Sequence, residues 1–160
     1  FTMKCLTELG YDYIMPSPEL TGVQLASIAE HSALAGRMLI GIHGRTPLMQ
    51  LLHCPIKEHK GCQNCMGIAG AVTDEAGRVF PLVNIRYPDN CLVRMLNCRT
   101  TDLIDLFDRI PQTAGYVLNF VGEQIDEVTE RIAAANEAKN GKRQTQYPNS
   151  TRGHWMRKVE

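Results

Sequence analysis

The 160-residue chain is 44% hydrophobic and 21% charged. That length and balance suit one globular domain that buries a core without disulfides or a metal to hold it together. No apolar run approaches the roughly 20 residues that cross a bilayer, which excludes a membrane-spanning reading. Formal net charge is zero, yet residues 1–137 carry 11 Lys or Arg against 16 Asp or Glu, while residues 138–160 carry 6 against 1. An acidic body with a basic end is the expectation.

The opening FTMKCLTELG has neither the basic region nor the apolar stretch of a secretory signal. Six cysteines without such a signal point to thiols or metal ligands in a reducing, cytoplasmic setting. Residues 11–15 (YDYIM) predict a short strand that Pro16 and Pro18 end, and residues 20–30 an amphipathic helix. Residues 37–43 (RMLIGIH) predict a second strand, apolar on both faces, so a parallel pair with a helical crossover is expected.

Periodicity then fades across residues 44–70, which gather Gly, Pro, His, Lys and three cysteines and read as a long irregular functional segment. Residues 71–73 and 78–85 flank Asp74-Glu75-Ala76-Gly77 and predict a β-hairpin. Thr101 or Asp102 is a helix cap candidate, with the helix running to Arg109 and stopped by Pro111, and residues 116–121 predict another strand. A final helix is expected over residues 122–139, facing the core through Ile125, Val128, Ile132 and Ala135, with Asn140-Gly141 as its stop.

Strands alternating with helices make the fold class α/β. About four parallel strands suggest the C-terminal part of a barrel-like domain, with a cysteine-rich loop and hairpin inserted over about 44–98 and the missing strands upstream of Phe1. Residues 1–140 form this α/β portion, and 141–160 a basic tail.

Chemistry concentrates on the cysteines. Cys62 and Cys65 form a CxxC pair, Cys54 lies eight residues earlier, and Cys91 returns after the hairpin, so four thiolates are available for one metal or cluster. Free cysteines are also ordinary buried side chains. However, Gly61, Gln63, Asn64 and Gly67 around these are not core composition. Cys5 reads as structural. Spacing alone favours zinc, whereas Pro55 after Cys54 and the cations Arg45, His53, Lys57, His59 and Lys60 suit a thiolate-bound iron–sulfur cluster.

The ordered set Ser17-Pro18-Glu19-Leu20-Thr21, Gly44-Arg45-Thr46-Pro47-Leu48-Met49, His53-Cys54-Pro55, the CxxC pair, Cys91, Leu96-Asn97, Thr151-Arg152-Gly153-His154 and Val159-Glu160 resembles the collagenase-like peptidase family U-32 across nearly the whole chain. The resemblance implies a four-iron four-sulfur cluster on Cys54, Cys62, Cys65 and Cys91. It also implies either peptidase activity or oxygen-independent hydroxylation of transfer RNA, ribosomal RNA or a quinone precursor, prephenate being implicated in the RNA reactions. Cys98, where a small polar residue is expected, opens a ligand swap with Cys91, and Lys158 stands where a glycine is expected.

A peptidase needs an activated nucleophile or metal-bound water, and the sequence has neither a GxSxG elbow nor an HExxH pair. None of His31, His43, His53, His59 and His154 has a recognisable partner by sequence. Hydroxylation of RNA is therefore the favoured expectation, with a zinc-stabilised interaction module as the alternative from another class. Glu19 and Arg45 just past predicted strands, and His154 in the tail, are the catalytic candidates. Lys142, Arg143, Arg152 and Trp155 are the RNA-binding candidates, against a tail that simply docks on the body.

Overall fold

The structure, a computed structural model, describes residues 2–62, 65–87 and 91–157. In chain order come helices α1 (Thr2–Glu8), α2 (Gly22–Ala29) and α3 (Ser32–Ala35), strands β1 (Leu39–Gly44) and β2 (Pro47–Leu51), and helix α4 (Pro55–Lys60). Strands β3 (Gly67–Thr73), β4 (Val79–Arg86), β5 (Cys91–Leu96) and β6 (Thr101–Asp102) follow, then a 3-10 helix (Ile104–Arg109), strand β7 (Gly115–Leu118) and helix α5 (Ile125–Lys139). The chain is mixed α/β with two sheets, and the described strands close no barrel.

β1 is the centre of the first sheet, ordered β6-β1-β7, parallel to β7 and antiparallel to β6. The strand expected at 11–15 shrinks to one parallel bridge, Ile14 to Met38, because Pro16 and Pro18 leave few backbone donors to continue it. Ile14 N–H still donates to Arg37 O at 2.8 Å, and Leu39 N–H to Ile14 O at 3.0 Å. Between them α2 starts at Thr21, whose side chain accepts from Gln24 N–H at 3.2 Å while Gln24 Oε1 accepts from Thr21 N–H at 2.9 Å. This reciprocal cap fixes the helix start and points Leu25 into the core.

The second sheet is antiparallel throughout, ordered β2-β5-β4-β3. Its β2 and the helix α4 occupy the segment 44–70 that sequence reads as irregular. β2 (PLMQL) is exposed along nearly its whole length, so it lacks the alternation that marks a half-buried strand. α4 opens on Pro55, well suited to a first helical turn. The β3–β4 hairpin matches expectation. Asp74 Oδ1 accepts from the N–H groups of Ala76 (3.0 Å) and Arg78 (2.9 Å), and the Arg78 N–H leads the contacts that hold its carboxyl below the usual carboxylate range.

Further along, Thr101 and Asp102 pair with β1 instead of starting an α-helix, and the turn after them is 3-10. Asp102 Oδ1 nonetheless accepts from Ile104 N–H at 3.2 Å, just before the 3-10 turn. α5 begins at Ile125, where Gln124 and Glu127 make a capping box. Its predicted apolar face is met in part: Ala135 packs on the core with Ala134 and Ala138 and Val128 is half-buried, whereas Ile125 is 75% and Ile132 46% exposed. Small side chains let the helix pack against the 3-10 helix Ile104–Arg109, and the core comprises Leu25, Met38, Ile40, Ile42, Leu103, Ile104, Ile110, Ala134 and Trp155.

The tail docks. Thr151 bridges to Thr101 in parallel, Arg152 Nη1 donates to Asp102 O at 2.8 Å and its guanidinium grips both oxygens of Asp105, and Trp155 is buried against Gly22. At the end of β1, Gly44 has φ 137°, and a Cβ there would lie 2.5 Å from the Asn119 carbonyl oxygen. Gly44→Ala is expected to cost about 1–3 kcal/mol from backbone strain alone, read as a lower urea midpoint with an unchanged slope. An unaltered midpoint would contradict this close approach.

Candidate metal centre and strand-end cleft

Antiparallel order decides where the cysteines go. The end of β2, the start of β5, the end of β4 and the start of β3 all lie along one edge of the second sheet. Cys54 follows Leu51 by three residues as the residue before α4, Cys91 opens β5 opposite Arg86, and Cys65 precedes Gly67 by two. Cys62, exposed, lies in the connection from α4 to β3. Thus strand direction draws Cys54, Cys65 and Cys91 toward one edge, with Cys62 in the adjoining connection. Among the described residues no group of three or more His, Cys, Asp or Glu side chains is arranged to hold a metal ion. Gln63 and Asn64, inside the CxxC pair, and residues 88–90, which lead into Cys91, lie outside the described residues.

Cys98 departs from expectation. It follows β5 at the far end, with its carbonyl oxygen 2.6 Å from Arg45 Nη1, and about 20 Å of extended strand separates it from Cys91. The ligand swap is therefore closed off by strand length. The cations expected near the site are partly present: α4 carries Lys57, His59 and Lys60 in its last turn, and His53 pairs with Glu58 at 3.0 Å on the surface. As donor types, four sulfurs suit either tetrahedral zinc or an iron–sulfur cluster.

A second feature is a cleft of about 450 Å³ at the C-terminal ends of the parallel strands, the position at which α/β folds bind ligands. Pro16 and Ser17 follow the Ile14 bridge, Arg45 follows β1, Asn119 follows β7, and the tail closes one side with Gly153, His154 and Trp155. Of the catalytic candidates, the structure brings Arg45 and His154 to this cleft. Glu19 is exposed and is not among its lining residues. Arg45 Nη1 donates to the carbonyls of Asn97 (2.9 Å) and Cys98 (2.6 Å), tying the turn after β5 to the end of β1.

The RNA-binding candidates divide. Trp155 is 8% exposed and Arg152 is bound to Asp105, so both are engaged within the molecule, where they line the cleft. Lys142 pairs with Glu137 at 2.8 Å, and Arg143 is exposed.

Sequence reasoning missed one pair. His43 and Asp102 are register partners across β1 and β6, and His43 Nδ1 lies 2.6 Å from Asp102 Oδ2, with side chains 1% and 0% exposed. Nothing in the linear spacing links residues so far apart; the only signal is a histidine closing an otherwise apolar strand. The imidazole packs against Phe120 (5.2 Å) and Tyr147 (5.5 Å), and His43 itself lines the cleft, so the pair braces the sheet directly at the cleft wall. Arg131 caps the Tyr147 ring at 4.6 Å, and burial foremost, then the Glu127 charge, raises the phenol's pKa.

Set beside known proteins, the chain matches no family model, no curated protein and no solved structure. No described helix is long and apolar enough to cross a membrane.

Proposed function

We propose that the chain is part of an iron–sulfur enzyme of the U-32 kind that hydroxylates RNA without oxygen. The supporting observation is the common edge to which the antiparallel sheet brings Cys54, Cys65 and Cys91, with Cys62 in the adjoining connection. Cys54, Cys62, Cys65 and Cys91 hold the cluster, which when bound supplies electron transfer. Arg45 and the docked tail shape the cleft in which a small ligand is held, lined by Asn97 and Asn119 as neutral hydrogen-bonding groups.

Cleft and cluster have separate tasks in this reading. Asn97 lines the cleft at one end of β5 and Cys91 opens the other, about 20 Å apart along the strand. RNA as the substrate rests on the sequence resemblance, since Arg152 and Trp155 are engaged inside the molecule.

Anaerobic purification with counts of iron, sulfide and zinc per chain tests the proposal. About four irons and four sulfides per chain are expected, with broad visible absorption, and Cys65→Ser is expected to lose most of both. One tightly held zinc would replace the redox reading with a structural module, and absence of any metal would overturn both.

A further inference from the structure

Asn84 lies inside β4, 5% exposed, in a strand whose neighbours Leu82 and Val93 are among the most buried side chains. A buried amide costs free energy unless its groups are bonded. Here the bonds run to a cysteine: Asn84 Nδ2 is 3.1 Å from Cys65 Sγ and 3.3 Å from Cys65 O. The Cys65 carbonyl can only accept, so the amide end facing it is the NH2 group, and the sulfur receives an N–H. Asn84 Oδ1 is buried and has no partner among the described residues. A valine would suit the strand better, since the amide leaves a buried oxygen unbonded among the described residues.

The register places this contact at the metal edge. Asn84 is opposite Val93, two residues from Cys91 and on its face of the sheet, and opposite Gly67, two residues from Cys65. The geometry points to Asn84 as a positioning residue of the thiolate site, holding Cys65 in place and raising the reduction potential of the cluster bound there. This rests on the function proposed above. An N–H donated to a ligand sulfur stabilises the more negative, reduced state, and such hydrogen bonds are among the factors that set cluster potentials.

The test uses the full chain, with wild type beside Asn84→Leu, Asn84→Ala and Asn84→Gln. Iron and sulfide counts and circular dichroism come first, then a redox titration followed by visible absorption. Removal of the donor is expected to lower the equilibrium constant for one-electron reduction about tenfold, a shift of about 59 mV to more negative potential, with Gln restoring part of it. Any donor-free variant with wild-type circular dichroism and iron content decides the matter, and an unchanged potential in it would leave Asn84 merely structural. Iron loss from a variant that keeps wild-type circular dichroism, with Gln retaining the iron, would support the role in holding Cys65. Wild type carrying zinc or no metal would overturn the proposed function and this inference with it, whereas wild type carrying iron with indifferent variants would overturn this inference alone.

Discussion

Asp102→Ala is expected to destabilise the protein by about 1–3 kcal/mol for each buried hydrogen-bonding partner it leaves unsatisfied. Asp102 is wholly buried, and its carboxylate bonds two groups at once, His43 Nδ1 at 2.6 Å and Ile104 N–H at 3.2 Å. Alanine would leave an imidazole nitrogen without its partner beside Phe120 and Tyr147, and the Ile104 N–H without its acceptor. Most of the loss therefore comes from the stranded partner. The double variant His43→Leu, Asp102→Ala is accordingly expected to lose less than the sum of the two single changes, because neighbouring partners are not additive. Urea denaturation of the four proteins measures this coupling. A single-variant loss under about 1 kcal/mol, the worth of an exposed pair, would show that the pair is not buried as described.

Trp155→Ala is the second large effect, about 3–5 kcal/mol as for other aromatic truncations in a core. Trp155 belongs to the main hydrophobic cluster, its ring covers Gly22, and its carbonyl accepts from Gly22 N–H at 3.0 Å. Loss of the ring removes the anchor of the segment that walls the cleft at Gly153 and His154. Thermal unfolding is the direct measure, with Arg143→Ala, an exposed site, as a control expected to stay within about 0.5 kcal/mol. The comparison also separates two roles for the tail. A base-stacking tryptophan would weaken RNA binding on truncation while leaving stability intact, whereas the packing seen here predicts loss of stability first.

The parts of this architecture legible in the sequence are those whose signals are local. The amphipathic run 20–30 marks α2, and Asp74 to Gly77 mark the hairpin turn. A run of large apolar residues marks β1. What escaped depends on partners distant in the chain. β2 has no burial pattern of its own and is a strand because β5 pairs with it. Thr101-Asp102 has the composition of a helix cap, but β1 takes it as an edge strand. The α5 face is legible only in part, since Ala135 packs on the core as its position suggests, but the neighbouring contacts are made by Ala134 and Ala138 and not by Ile125 and Ile132. Among candidate site residues, Arg45 and His154 reach the cleft as strand-end and motif reasoning suggests, and Glu19, two residues beyond Ser17, turns outward.

The docking of Thr151, Arg152 and Trp155 onto Thr101, Asp105 and Gly22 also orders events in time. These are contacts between distant parts of the sequence, whose loop-closure cost is met before they are formed, and such contacts slow folding. During synthesis the segment from α2 through α5 leaves the ribosome with the Gly22 surface bare and the Asp105 carboxylate unpaired. Trp155 completes the core only once the chain has been extended past it. A chain halted at residue 140 would expose that apolar face to other molecules and to proteases, so the last strap converts a nascent, vulnerable fold into a durable one.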